Sequence, residues 1–211
     1  MTISARYHTA ISTTRPRGSR VIESYSPKLG RRLQCFGENF YRQWICLESD
    51  PLVEAFCERP TYLKSGDNQR PVDFWVRYKD YEMYLVLDGE NHPSTVTLDE
   101  TELEVRCASS VDLAAASLWI SNWERMLPLI ISCRQQVSSS FQNSILKFIS
   151  EPTPLARIEQ EFVTGDPTLV RAAVFNLLHQ GKLHAFQLQV EPLSYLISFV
   201  PGGQRHESTP R

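Results

Sequence analysis

Apolar residues recur at helical spacing from Phe36 through Phe40 and Trp44 to Leu47, and Asp50-Pro51 closes the run, which predicts a helix. Strand-like stretches follow at Val53 to Cys57, Thr61 to Lys64, Pro71 to Tyr78 and Tyr81 to Leu87, and the last two flank Lys79-Asp80 as a hairpin would. Leu103 to Cys107 is a further strand candidate, whereas the crowded acids Asp99, Glu100, Glu102 and Glu104 read as a solvated face. Asp112 to Ile131 is rich in alanine and leucine and carries Trp119 and Trp123 four residues apart, the pattern of a helix packed on a sheet. Another helix is expected over Val137 to Ile149. Strands bracketed by helices in this order predict a small α/β core ending near residue 150.

After Glu151-Pro152-Thr153-Pro154 the pattern changes. Leu155, Ile158, Phe162 and Val163 make one short helical stripe, Gly165-Asp166-Pro167 turns and caps, and Thr168 to Gln180 forms a second helix that Gly181 ends. Leu183 to Val190 and Leu196 to Val200 then read as a hairpin around Glu191-Pro192. Helix, helix and two-stranded wing is the order of a winged helix-turn-helix. The expected division is a basic arm (1–32), an α/β domain (33–150), a winged-helix domain (151–205) and a tail (206–211).

Composition narrows the class. Hydrophobic residues make up 42% and charged residues 22% of the 211, ordinary globular usage that argues against a disordered, collagen-like or coiled-coil chain. No apolar run approaches the ~18 residues of a membrane span, and Met1 to Arg20 lacks an apolar signal core, so a soluble cytoplasmic protein is expected. The five cysteines include no CxxC pair, which indicates reduced, packed thiols rather than a disulfide framework or a zinc knuckle. The five histidines make no metal pattern and read as mostly surface residues, and the absence of a Gly-rich phosphate loop sets aside an ATPase or a Rossmann enzyme.

The net charge of -2 conceals an asymmetry. Residues 1–35 hold seven cations, Arg6, Arg15, Arg17, Arg20, Lys28, Arg31 and Arg32, against the single acid Glu23. Arginines spaced by Ser, Thr and Pro suit contact with a polyanion, because each cation near a phosphate releases condensed counterions; a solvated tail is the plain alternative. Two acids stand out against this background. Glu38 lies off the Phe36, Phe40, Trp44 stripe, where its ordinary role is an exposed pair with Arg42. Asp73 interrupts a strand, where a carboxylate has poor β propensity. With a further acid, Asp88, on the hairpin partner, the three are candidates to converge on a hard divalent cation, although Asp88-Gly89 is also an ordinary turn after a strand.

Three segments carry a resemblance: Phe-Gly-Glu-Asn-Phe-Tyr-Arg (36–42), Leu-Glu-Ser-Asp-Pro-Leu-Val-Glu-Ala-Phe-Cys-Glu-Arg-Pro (47–60) and Gln-Arg-Pro-Val-Asp-Phe-Trp-Val (69–76). In order and spacing they resemble TnsA, the endonuclease subunit of heteromeric bacterial transposases. The likeness extends through Trp119 to Trp123 and into Val170-Arg171-Ala172-Ala173-Val174, Leu177-Leu178 and Gly181-Lys182, over roughly residues 20–200. It implies a restriction-endonuclease-like core of the PD-(D/E)xK type with a C-terminal winged helix, cutting the 5′ strands at transposon ends with Mg2+ or Mn2+. Glu38 and Asp73 match the family's first two acids. The third motif departs, since Leu85-Val86-Leu87-Asp88-Gly89-Glu90 contains no lysine and fits either as Val86 with Asp88 or as Asp88 with Glu90. Activity would then need a substitute cation, and Lys64, Arg70 and Lys79 are nearby in sequence.

The implied partners are transposon-end DNA, a DDE-type transposase (TnsB-like) and an AAA+ regulator (TnsC-like). Arg15, Arg17, Arg20, Lys28, Arg31 and Arg32 are the expected DNA contacts. The second helix of the C-terminal module offers only Arg171 and Lys182 nearby as cations, fewer than a DNA-reading helix carries, so Arg171, Phe175 and Lys182 are expected to bind a protein partner. Two alternatives stay open: a degenerate TnsA-like scaffold linking transposase to regulator, and a winged-helix DNA-binding regulator.

Overall fold

A computed structural model describes residues 6–65, 68–87, 92–98, 101–162 and 166–202. The chain divides into two compact units, Met1–Ala115 and Ala116–Arg211. The division falls well before the expected one at residue 150, because the helices after Ala116 pack among themselves and on the C-terminal helix.

The first unit opens with a hairpin of β1 (Val21–Ser26) and β2 (Arg31–Phe36), where the sequence suggested only an extended arm. Helix α1 (Glu38–Ser49) follows, then β3 (Ala55–Glu58), the hairpin β4 (Tyr62–Ser65) and β5 (Asn68–Pro71), β6 (Phe74–Arg77), β7 (Glu82–Leu87), β8 (Thr95–Leu98), β9 (Thr101–Ala108) and the short α2 (Ser110–Ala115). Five strands form a mixed sheet in the order β3-β6-β7-β9-β8, with β7 and β9 parallel and the other pairs antiparallel.

Period-two alternation sorts its residues onto two faces. On one, Phe56, Phe74, Val76, Met83 and Leu85 are buried, and Phe40 of α1 sets its ring 4.3 Å from that of Phe74. On the other, Cys57, Trp75, Tyr84, Val86, Leu103 and Val105 form one apolar cluster with Leu63 and Val72 of the small hairpin. Tyr7 covers this second face, edge-on to Trp75 at 5.6 Å and with its hydroxyl 2.6 Å from that of Tyr84. Beside it, the Glu82 carboxylate accepts from Arg6 Nε at 3.2 Å and Trp75 Nε1 at 3.0 Å. The start of the expected free arm is therefore part of the core. Burial pushes the Cys35 thiol up to about 12 and the Cys57 thiol to about 11, whereas Cys107 is exposed.

In the second unit, α3 (Ser117–Cys133) packs along the later helix α6 (Pro167–His179). Trp123 meets His179 edge-on at 6.0 Å, so that histidine is buried and not a surface residue. Helix α4 (Ser139–Phe148) begins at Ser138, whose hydroxyl accepts from the Phe141 amide. β10 (Thr153–Pro154) and α5 (Leu155–Glu161) lead to α6, which Asp166 caps by accepting from the Thr168 amide at 2.8 Å. Gly181, at φ 70°, ends it in the left-handed conformation that glycine adopts without penalty.

The expected long wing strand over 183–190 is instead β11 (Leu183–His184) and a 3-10 turn, Phe186–Gln189; β12 (Ser198–Pro201) closes a three-stranded sheet in the order β10-β12-β11. No helix of the described residues is long and apolar enough to cross a membrane.

Because Tyr7 seals the Trp75 and Tyr84 face, Tyr7→Ala is expected to cost about 2 kcal/mol in urea unfolding, from lost apolar burial and a lost hydroxyl pair. An unchanged midpoint would show that residues 6–11 do not belong to the core.

Candidate active site

The site begins with a strand that leaves the sheet. Pairing of β6 with β7 runs from Arg77 opposite Glu82 to Phe74 opposite Leu85, a register that would next set Val72 against Leu87. The Val72 amide is drawn away to the carbonyl of Thr61 at 2.9 Å, into the small hairpin. Leu87 therefore lacks a backbone partner there, and the Asp73 carboxylate replaces it, accepting the Leu87 amide on Oδ2 at 2.7 Å. Arg70 closes the corner, with Nη2 3.4 Å from Asp73 Oδ2 and 3.3 Å from the Leu87 carbonyl. The poor β propensity of an aspartate is thus offset by an interaction that only a short acceptor side chain at this position supplies.

Arg59 ties this corner to the start of α1. Its amide donates to the Asp73 carbonyl at 2.8 Å, and its φ of 43° is the one positive value among the described non-glycine residues. The buried guanidinium lies 4.4 Å over Phe36 and 5.5 Å from Phe40, and Nη1 donates to the Gln34 carbonyl at 2.8 Å. Burial lowers its affinity for its proton, an effect opposed chiefly by Glu58 and more weakly by Asp73 among others. Gly37, at φ 95°, turns the chain between β2 and α1.

Glu38 is the first residue of α1 and is exposed. The expected pair with Arg42 is absent, since Arg42 donates to the Leu113 carbonyl at 2.9 Å, and among the described residues the Glu38 side chain makes no hydrogen bond or ion pair. Packing of Phe40 on Phe74 brings the first turn of α1 to the same end of the sheet as Asp73. Asp88 and Glu90 lie outside the described residues. Val86, the alternative occupant of the third motif, is packed in the apolar cluster and offers no ligand. Among the described residues no group of three His, Cys, Asp or Glu side chains is placed to hold a metal ion. Of the three suggested cations, Arg70 reaches Asp73, Lys79 sits in the turn at the far end of β6, about 20 Å along the strand, and only the backbone of Lys64 is described.

The basic residues separate into two groups. Lys28 is a structural cation, donating from Nζ to the carbonyls of Leu47, Asp50 and Val53 at the end of α1. Burial pushes its ammonium down to about 8, against Glu48 and Asp50, which raise it. Arg31 grips the buried Glu58 carboxylate through two bonds of 2.7 and 2.6 Å. Both cations are thus engaged by groups of the fold itself. Arg15, Arg17, Arg20 and Arg32 are exposed and make no ion pair among the described residues.

In the second unit Arg171 is held by Glu159 at 2.6 Å and by the Tyr195 hydroxyl at 2.9 Å, Phe175 is buried facing a cavity, and Lys182 is exposed. Sequence reasoning missed Arg59, whose role depends on a left-handed turn and on rings brought from β2 and α1, and Asn122, a polar residue buried in α3. No family model and no curated protein matches the chain.

The geometry separates charge from hydrogen bonding at Asp73. Asp73→Ala strands the Leu87 amide and is expected to destabilise the fold by about 1–3 kcal/mol, while Asp73→Asn keeps an acceptor and is expected to cost under about 1 kcal/mol. Equal losses for the two variants in urea unfolding would mean that the Leu87 bond is not what Asp73 contributes to the fold.

Proposed function

We propose that this chain is a TnsA-like subunit of a DNA transposition complex, with a restriction-endonuclease-like first unit that cuts the 5′ strands at transposon ends and a winged-helix second unit that docks protein. The observation that carries the reading is the position of Asp73, whose carboxylate touches the backbone at the end of β7, one residue before Asp88, while the unpaired Glu38 stands at the same end of the sheet. A set of carboxylate oxygens suits Mg2+ or Mn2+, which Glu38, Asp73 and Asp88 would hold. Such an ion, when bound, polarises a phosphodiester and lowers the pKa of water. Arg70 supplies the positive charge that the family draws from its lysine, acting on the Asp73 carboxylate and the developing phosphate charge from the β5 side.

The order α5, α6, β11, β12 with β12 central in its sheet supports the winged helix. Its loop between the 3-10 turn and β12 is tied to α3, and the cation of α6 is paired with Glu159, which favours protein over DNA as its partner. The DDE-type transposase and the AAA+ regulator are the partners this reading expects. A scaffold without chemistry is the second reading, favoured by the fact that Asp73 already has a structural occupation.

The two are separated in a reaction containing transposase and donor ends. Asp73→Asn is expected to abolish 5′ cleavage while leaving transposase cleavage of the 3′ strand, and Glu38→Gln to lower 5′ cleavage by about a hundredfold. Arg70→Lys should retain more activity than Arg70→Met. Cleavage by Asp73→Asn at the wild-type rate would leave the scaffold reading in place.

DNA contact is tested separately by salt titration. Replacing Arg15, Arg17, Arg20 and Arg32 together with Gln should lower the slope of log K against log salt by up to about 4 units. An unchanged slope would remove these four residues from the DNA interface.

A further inference from the structure

The second unit contains a cavity of about 330 Å³ with an apolar floor and a cationic mouth. Leu129 of α3, Leu155 of α5 and Phe175 of α6 supply the apolar lining, and Arg125, Arg171 and Tyr195 the polar part. Arg171 is neutralised by Glu159 and lies 5.0 Å from the Tyr195 ring. Arg125 is different. It spends one donor on the Leu193 carbonyl at 2.9 Å and has no carboxylate partner among the described residues, so the cavity keeps an uncompensated positive charge.

The wall is held in place before anything binds. Asn122, 1% exposed, donates to the carbonyls of Leu188 and Glu191 at 2.8 and 2.9 Å and accepts the Leu193 amide at 2.7 Å, clamping the loop that carries Tyr195. The volume is at the low end of the range for small-molecule sites, about 300–1,000 Å³, and suits one large apolar side chain rather than a cofactor. Tyr195 and Leu196, 53% and 77% exposed, continue the apolar surface beyond the mouth, more than a small ligand would cover.

We propose that this cavity is a docking pocket for an acidic segment of a partner protein, which inserts one large apolar side chain between Leu129, Leu155 and Phe175 and sets a carboxylate against Arg125. The pocket rests on the reading of the second unit as a protein-docking module and is independent of whether the first unit cuts DNA. The anchor side chain gains from leaving water, and the carboxylate fixes its orientation through a charge-assisted bond to a guanidinium that has donors to spare.

The test uses the full chain and fluorescein-labelled peptides followed by anisotropy. One short peptide carries a single Phe flanked by Asp and Glu, a second replaces Phe by Ala, and a third replaces the acids by their amides. Both changes are expected to weaken binding by about tenfold or more. On the protein side, Arg125→Glu and the cavity-filling Leu129→Trp should each do the same, while Lys147→Glu on α4 should not.

Equal binding of the acidic and amide peptides would overturn the pocket, as would insensitivity to both Arg125→Glu and Leu129→Trp. Binding of N-acetylphenylalanine as tight as that of the acidic peptide would assign the cavity to a free amphipathic acid and overturn the peptide. If the full chain still assembles with transposase and regulator while the peptides fail, the pocket alone is wrong; if assembly also fails, the docking reading falls with it.

Discussion

A single hydrogen bond, from the Leu87 amide to the Asp73 carboxylate at 2.7 Å, holds together the sheet end that carries the candidate site. The constraint behind it is general: a backbone amide at a strand end must find an acceptor when its neighbour strand leaves. Here β5 turns away to pair with β4, and the side chain of Asp73, two residues on, takes over the missing ladder bond. The left-handed turn at Arg59 fixes the Asp73 carbonyl, and Arg70 fixes the carboxylate. One acidic side chain is thereby held at the open end of the hairpin of β6 and β7, against the last residue of β7.

How much of this was legible in the sequence depended on range. Helix α1, the hairpin of β6 and β7, and α6 with its Asp166 cap and Gly181 stop follow from periodicity and local punctuation, and all three stand where those signals put them. The arm was not legible, because what orders it lies far along the chain: Tyr7 finds Trp75 and Tyr84, Arg31 finds Glu58, and Lys28 finds the carbonyls at the end of α1. Counting cations cannot distinguish a guanidinium gripping a buried carboxylate from one in water. The alanine- and leucine-rich stretch announced a helix but not its partner within the second unit, which is α6. The wing strand is short for a similar reason: the chain folds into a 3-10 turn at Phe186–Gln189, and Asn122, 66 residues earlier in sequence, bonds the Leu188 carbonyl at its end.

The same physics separates the two candidate acids. Glu38 is exposed and has no hydrogen bond or ion pair among the described residues, so it keeps its hydration, whereas Asp73 is already committed to one amide and one guanidinium. An ion at Asp73 would have to share a carboxylate that the Leu87 amide and Arg70 already engage, which two oxygens with about four lone pairs allow. The second unit divides its charge in a comparable way, with Arg171 paired to Glu159 and Arg125 bonded to a backbone carbonyl without a carboxylate partner among the described residues.

The central claim is that the corner formed by Asp73 and Leu87 still receives a divalent ion, and the Leu87 amide is the reporter nearest to it. Two-dimensional NMR of the full chain during a Mn2+ titration is predicted to broaden the Leu87 amide signal at sub-stoichiometric ion, together with the signals of residues 73 and 38. In Asp73→Asn, which keeps the hydrogen bond but not the charge, the same signals should persist. Retention of the wild-type Leu87 signal through stoichiometric Mn2+, or equal broadening in Asp73→Asn, would contradict the account.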